Sequence, residues 1–196
     1  MAEVTVVLTM AEPGSHRAVS SPPGGAAWVL ALGSILAAWL LSGCGGAPFD
    51  GTTYRGDGFA FRVPAAPPRW TPLRHSHAGL AFRDEASRAT ILLNGRCHVD
   101  GEDVPLVALT NHLFMQFTER QIERQEVVPF DGREAMHTEL GAKLDGVPMR
   151  FDVWVLKKDG CVYDLVYFAP PETAAQGLAD FRRVVQGFSA TRSDGD

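Results

Sequence analysis

The sequence predicts an α+β fold in which an antiparallel β-sheet meander packs with two main helices, and three observations predict it. Asp131-Gly132, Asp145-Gly146 and Asp159-Gly160 recur between strand-like runs, and Asp-Gly supplies the positive φ angles that tight hairpin turns require. Two stretches, one mid-chain and one near the end, carry apolar residues at three- and four-residue steps, the period of a helix with one buried face. Removing the first 43 of the 196 residues leaves 153, a length that suits one domain and buries about 70% of its unfolded surface.

The first element is an apolar run from Ala26 to Leu41, preceded by His16 and Arg17. Its length fits a signal-peptide core better than a membrane span, which needs about 20 residues. The run ends in Leu41-Ser42-Gly43-Cys44, and this resembles the bacterial lipobox, a leucine, two small residues and a cysteine. The resemblance implies that 1–43 is a lipoprotein signal peptide, that the Cys44 thiol takes a diacylglyceryl group, and that the mature chain is held at a membrane by lipid. Small side chains at Ser42 and Gly43 leave the backbone open to a peptidase, and Cys44 is the nearby sulfur nucleophile. More than one acyl chain is needed for stable anchoring, as lipoprotein processing provides. Residues 44–48 then read as the lipidated cysteine and a short tether of Gly45, Gly46, Ala47 and Pro48. Gly45 stands where enteric inner-membrane lipoproteins carry aspartate, so a bacterial cell-envelope location is expected, with the outer membrane favoured over the inner.

The folded part is expected over 49–189. Phe59, Phe61 and Val63 alternate with smaller or polar neighbours and are stopped by Pro64, the mark of a half-buried strand. The proline-rich stretch from Pro64 to Pro72, with Trp70 inside it, reads as a loop or an edge. Leu80 to Arg83 and Ala89 to Asn94 read as a strand pair flanking a turn. Asp103 is placed to cap a helix from about Val104 to Gln125, with Pro105 in its first turn. Leu106, Leu109, Leu113 and Phe117 would face a sheet, and Glu119, Arg120, Glu123 and Arg124 would crowd its exposed end.

The meander follows as four strands, about Val127 to Phe130, Arg133 to Leu144, Val147 to Lys157 and Cys161 to Phe168. In the third, Met149, Phe151, Val153 and Val155 share one face, and Arg150, Asp152, Trp154 and Leu156 the other. Pro170 and Pro171 stop the last strand. A closing helix then carries Ala174, Leu178, Phe181, Val184, Val185 and Phe188 on one side, and 190–196 is read as a polar, disordered tail.

With Gly58, Phe59, Phe61 and Pro64 followed by Trp70, a mid-chain helix, a meander and a terminal helix ending Val185-Gln186-Gly187-Phe188, the chain resembles the PsbP-like fold family. That family includes an extrinsic subunit of photosystem II, a Ran-binding import factor and bacterial envelope lipoproteins. The resemblance covers about Phe49 to Ser189 and implies an α/β/α sandwich. It rests on architecture, so it assigns no functional residue to a position here.

Charge and motifs narrow the function. Without Glu3, Glu12 and Arg17, the mature part has 17 basic and 21 acidic residues, a formal charge of −4. Nucleic acid is therefore not an expected partner, because its phosphates demand a clustered basic footprint. There is no Walker loop, no G-x-G-x-x-G, no H-E-x-x-H and no G-x-S-x-G elbow. The carboxylates Asp100, Glu102 and Asp103 are explained by capping and the helix dipole. No catalytic residue and no cofactor is assigned.

Three sets of residues remain. Cys97 and Cys161 are disulfide candidates in an oxidising compartment, two reduced thiols being the alternative; a bridge would close 64 positions and contribute roughly 4 kcal/mol. His75, His77 and His98 form a metal candidate, since alternate positions put the first two on one side for zinc or copper, although the neighbouring prolines and Ser76 read equally as a solvated loop. Trp154, Tyr163 and Tyr167 form a binding-face candidate if no helix covers them. The expected function is an envelope-anchored, non-enzymatic protein-binding or assembly module with a protein partner. A lipid- or small-ligand-binding domain and a histidine metal site are the alternatives.

Overall fold

The computed structural model describes residues 49–73, 79–97 and 104–192. Among the described residues ten strands and two helices follow one another, with every strand pair antiparallel. A small sheet of order β1-β2-β10 is made by β1 (Thr53–Arg55), β2 (Phe59–Arg62) and β10 (Ser189–Arg192). The large sheet has seven strands in the order β3-β4-β5-β9-β8-β7-β6. Its members are β3 (Thr71–Pro72), β4 (Leu80–Asp84), β5 (Ala89–Cys97), β6 (Thr118–Phe130), β7 (Arg133–Leu144), β8 (Val147–Lys158) and β9 (Cys161–Ala169), and the helices are α1 (Leu106–Leu113) and α2 (Ala174–Gly187). This is the mostly-β α+β fold that the sequence predicts.

The meander forms as the turn chemistry dictates. Asp131, Asp145 and Asp159 have φ of 48°, 51° and 53°, and the glycines that follow them 75°, 79° and 75°. Two successive left-handed residues make the hairpin turn whose twist matches the flanking strands. A two-residue turn also fixes register. His137 and Trp154, each eight residues from the Asp145-Gly146 turn, therefore pair directly, as do Glu139 and Asp152.

Alternation then sorts side chains onto two cores. Phe151, Val153 and Val155 of β8, with Met136 and Leu140 of β7, form one core, covered by Leu106, Leu109 and Leu113 of α1 and by Phe117. On the opposite face Leu156, Tyr163, Leu165 and Tyr167 lie beneath Phe181, Val184 and Val185 of α2 and beneath Phe59, Phe61 and Ala190 of the small sheet. Polar bonds hold α2 in place. Trp70 Nε1 and Arg69 Nε donate to Asp180 Oδ2 at 2.9 and 2.8 Å, and Tyr167 donates its hydroxyl to the Ala174 carbonyl at 2.6 Å.

Two expectations are corrected. The mid-chain helix ends at Leu113, not near Gln125, and Thr118–Phe130 is the longest of the described strands. Leu106, Leu109, Leu113 and Phe117 do face the sheet, but Glu119, Arg120, Glu123 and Arg124 belong to an edge strand. The residue before α1 is Pro105, whose side chain makes no capping bond, and Asp103 lies outside the described residues. The tail is also shorter than expected, because Ser189 to Arg192 pair with Arg62 to Phe59. Residues 193–196 lie outside the described residues.

Candidate functional site

The polar cluster with the most chemistry sits on β7 and β8, on the face shared with α2. His137 and Glu139 are two apart on β7, Asp152 and Trp154 two apart on β8, and the register places all four on one face. His137 Nε2 lies 3.0 Å from Asp152 Oδ1 and 3.7 Å from Glu139 Oε1. Trp154 donates its indole N–H to Asp152 Oδ1 at 3.0 Å, and its ring stacks on the imidazole with centroids 4.3 Å apart. The side chains of His137 and Asp152 are 8% and 6% exposed and that of Glu139 29%, so the cluster meets solvent on the glutamate side. Burying an imidazole and a carboxylate together costs little only because each partners the other.

Neighbouring strands complete the surroundings. Across β6 and β7, Glu126 pairs with His137 and Arg124 with Glu139. Arg124 reaches Glu126 at 2.9 Å and Glu139 at 3.9 Å. On the other side Tyr167 stands opposite Asp152 and Leu165 opposite Trp154. None of His137, Glu139 and Asp152 was singled out in the sequence as a ligand or a catalytic group. The signal was present nonetheless, since counting outward from Asp145-Gly146 brings the four residues together.

The aromatic set is dispersed by the fold. Tyr163 and Tyr167 are core residues, and burial pushes both phenols up to about 12. Trp154 is half-buried against the same core. The three do not make an open face, because α2 and the small sheet fold over it. Cys97 and Cys161 stand directly opposite on β5 and β9 with Cα atoms 4.1 Å apart and are joined as a disulfide. Cys44, His75, His77 and His98 lie outside the described residues.

A second buried carboxylate, Asp164 on β9, faces the α1 side and is bound by Arg96. Burial pushes its carboxyl above the usual range, against the opposing pull of the Arg96 charge and hydrogen bond and the charge of His112. Its other oxygen, Oδ1, has no hydrogen-bond partner among the described residues. This pair ties the end of β5 to β9, next to the disulfide.

Two large apolar side chains are exposed to solvent on β6, the edge strand of the large sheet. Ile122 and Val127 of β6 are each 51% exposed. They stand opposite Leu140 and Met136 of the α1-side core, but α1 packs over β7 and β8. The α1-side face of β6 is thus an apolar ledge left open, with Arg120, which donates to the Phe114 carbonyl, and Gln125, which donates to the Thr138 hydroxyl, beside it.

No protein-family model and no curated protein sequence matches the chain. Solved structures do. The solution structure of cyanobacterial PsbP from Synechocystis sp. PCC 6803 matches with a TM-score of 0.50 at 15% identity, over 77% of this chain and 99% of that one. LpqN, a Mycobacterium tuberculosis protein described as involved in cell envelope biogenesis, matches with a TM-score of 0.50 at 14% identity, over 73% and 86% of the two chains. The described part therefore has a PsbP-like fold. At these identities the likeness extends to architecture alone.

Proposed function

We propose that this chain is a lipid-anchored protein of the bacterial cell envelope whose PsbP-like domain is a non-enzymatic module that docks a partner protein on the open face of β6. One observation carries the reading: a thirteen-residue edge strand presents Ile122 and Val127 to solvent on its α1-side face, beside the polar side chains of Arg120 and Gln125. An apolar centre with a polar rim is the anatomy of a protein interface. The partner engages side chains and does not add a strand. Pro129 lacks an N–H, and register shifts at Thr118/Gln121 and Ile122/Arg124 break the ladder, both of which blunt an edge against strand addition.

The lipobox resemblance at Cys44 and the fold shared with an envelope-biogenesis protein support the address. The test combines both parts. A photo-crosslinking residue is placed at position 122, at 127, and at the exposed α2 position 182, in cells labelled with a fatty-acid analogue. The expected result is label that disappears in Cys44→Ala, together with one adduct shared by 122 and 127, absent at 182 and lost when Asp replaces the other ledge residue. Label that persists in Cys44→Ala, or adducts as strong at 182 as at 122, would overturn the reading.

A further inference from the structure

We propose that His137 Nε2, Glu139 Oε1 and Asp152 Oδ1 form a three-ligand site for a divalent first-row metal ion, with zinc as the reference cation. The three atoms lie within 4.8 Å of one another, and the separations from the imidazole nitrogen are 3.0 and 3.7 Å. An ion about 2.0–2.2 Å from each ligand, as zinc requires, subtends ligand separations of roughly 3 to 3.7 Å at angles between square and tetrahedral. Both separations from the imidazole nitrogen fall in that range.

Rigidity favours the same assignment. Each ligand is on an antiparallel strand flanked on both sides, and the two pairs His137–Trp154 and Glu139–Asp152 are directly in register. Trp154 orients the site twice, by its N–H on the Asp152 carboxylate and by its ring on the imidazole. Supports of this kind fix ligand orientation before the metal arrives. Glu139, the most exposed of the three, leaves the solvent side free for a water ligand.

Electrostatics select a cation. With the imidazole neutral, Glu126, Glu139 and Asp152 place three negative charges around the site against the one guanidinium of Arg124. Arg150, two residues from Asp152 on β8, is engaged by Glu123. A neutral His137 bound through Nε2 carries its proton on Nδ1, so the metal takes the place that a hydrogen occupies between Nε2 and Asp152. One imidazole and two carboxylates suit zinc, cobalt(II) or manganese(II) better than copper(I), which prefers sulfur, or calcium, which takes six to eight oxygens. The three ligands come from β7 and β8 alone and do not involve the apolar residues of the β6 ledge.

The test uses the full chain, free of affinity tags, in detergent, titrated with zinc alone and followed by calorimetry, with cobalt(II) absorbance as the report on ligand geometry. The expected result is one zinc per chain, an affinity reduced at least tenfold in Glu139→Gln and in His137→Gln, and an unchanged affinity in the double variant His75→Ala, His77→Ala. Glu139 is partly exposed, so its variant keeps the test decisive if His137→Gln fails to fold. Absence of stoichiometric zinc in the wild type, wild-type affinity in Glu139→Gln, or loss of binding in the His75, His77 variant would overturn the assignment.

Discussion

Replacing Cys97 and Cys161 together by alanine removes a cross-link whose contribution follows from its position. The bridge joins the end of β5 to the start of β9 across 64 positions of sequence, and the strands it joins are already paired in register at Cys97 and Cys161. The native structure therefore changes little on its loss, and the effect falls on the unfolded chain, which gains the freedom of a long open loop. Chain-entropy reasoning gives about 4 kcal/mol for a loop of this length. With a urea dependence of roughly 2 kcal/mol per molar for a domain of this size, the unfolding midpoint drops by roughly 2 M. Equilibrium urea unfolding of the wild type, of the double alanine variant, and of the wild type with reductant measures the drop, and thiol titration of the unfolded, unreduced wild type should find neither cysteine free. A midpoint that moves by less than about 0.5 M would refute the reasoning, because the unfolded chain would then be constrained by something other than the cross-link.

Three further outcomes are expected. Gly177→Ala lowers the thermal midpoint although alanine is the better helix former by about 1 kcal/mol: the new Cβ would meet the Tyr167 hydroxyl at 2.8 Å and the Trp70 ring at 3.2 Å, and such overpacking costs about 1–3 kcal/mol. Gly146→Ala meets no atom within 4 Å, so its cost of about 1 kcal/mol in urea unfolding comes from the left-handed φ of 79° alone. For Asp180, burial works to raise the carboxyl, but the Trp70 and Arg69 hydrogen bonds and the charges of Arg69 and Arg183 outweigh it and hold it below its ordinary 3.8. A carboxyl lowered by folding adds stability that is present above its unfolded value and lost as pH falls through the folded one, so the wild type exceeds Asp180→Asn most at neutral pH, and the gap narrows in chemical unfolding below about pH 4.

The parts of the fold that were legible in the sequence are those with a local physical cause. Three Asp-Gly turns, needing two left-handed residues each, set to within a residue or so the strand ends that meet at them, from the end of β6 to the start of β9, and the apolar spacing from Ala174 to Phe188 set α2. The stretch from Thr118 to Gln125 misled because β6 is an edge strand. Its side chains stand outside the core on one face and beyond the reach of α1 on the other, which leaves Glu119, Arg120, Glu123 and Arg124 exposed together and erases the two-residue alternation that marks a half-buried strand. An exposed helical end has the same charged composition, and nothing local separates the two. What separates them is Arg133 to Leu144, which needs a partner along its length and finds it in β6.

The candidate site divides along the same line. Its four residues are brought together by a two-residue turn, and a turn of known length converts sequence positions into spatial neighbours by counting, so His137 opposite Trp154 and Glu139 opposite Asp152 follow from Asp145-Gly146 with no knowledge of the rest of the molecule. Whether such a cluster is buried does not follow from counting. Tyr163 and Tyr167 share a face with it, yet they disappear beneath α2 and beneath a small sheet whose third strand, β10, comes from the far end of the chain to pair with β2. Covering a sheet face is a long-range event, with Ala190 meeting Phe61 across most of the described chain, and it decides which side chains of an alternating strand are core and which are surface. Short-range turn chemistry thus determines what can touch within the meander, and the return of the termini determines how much of it solvent can reach.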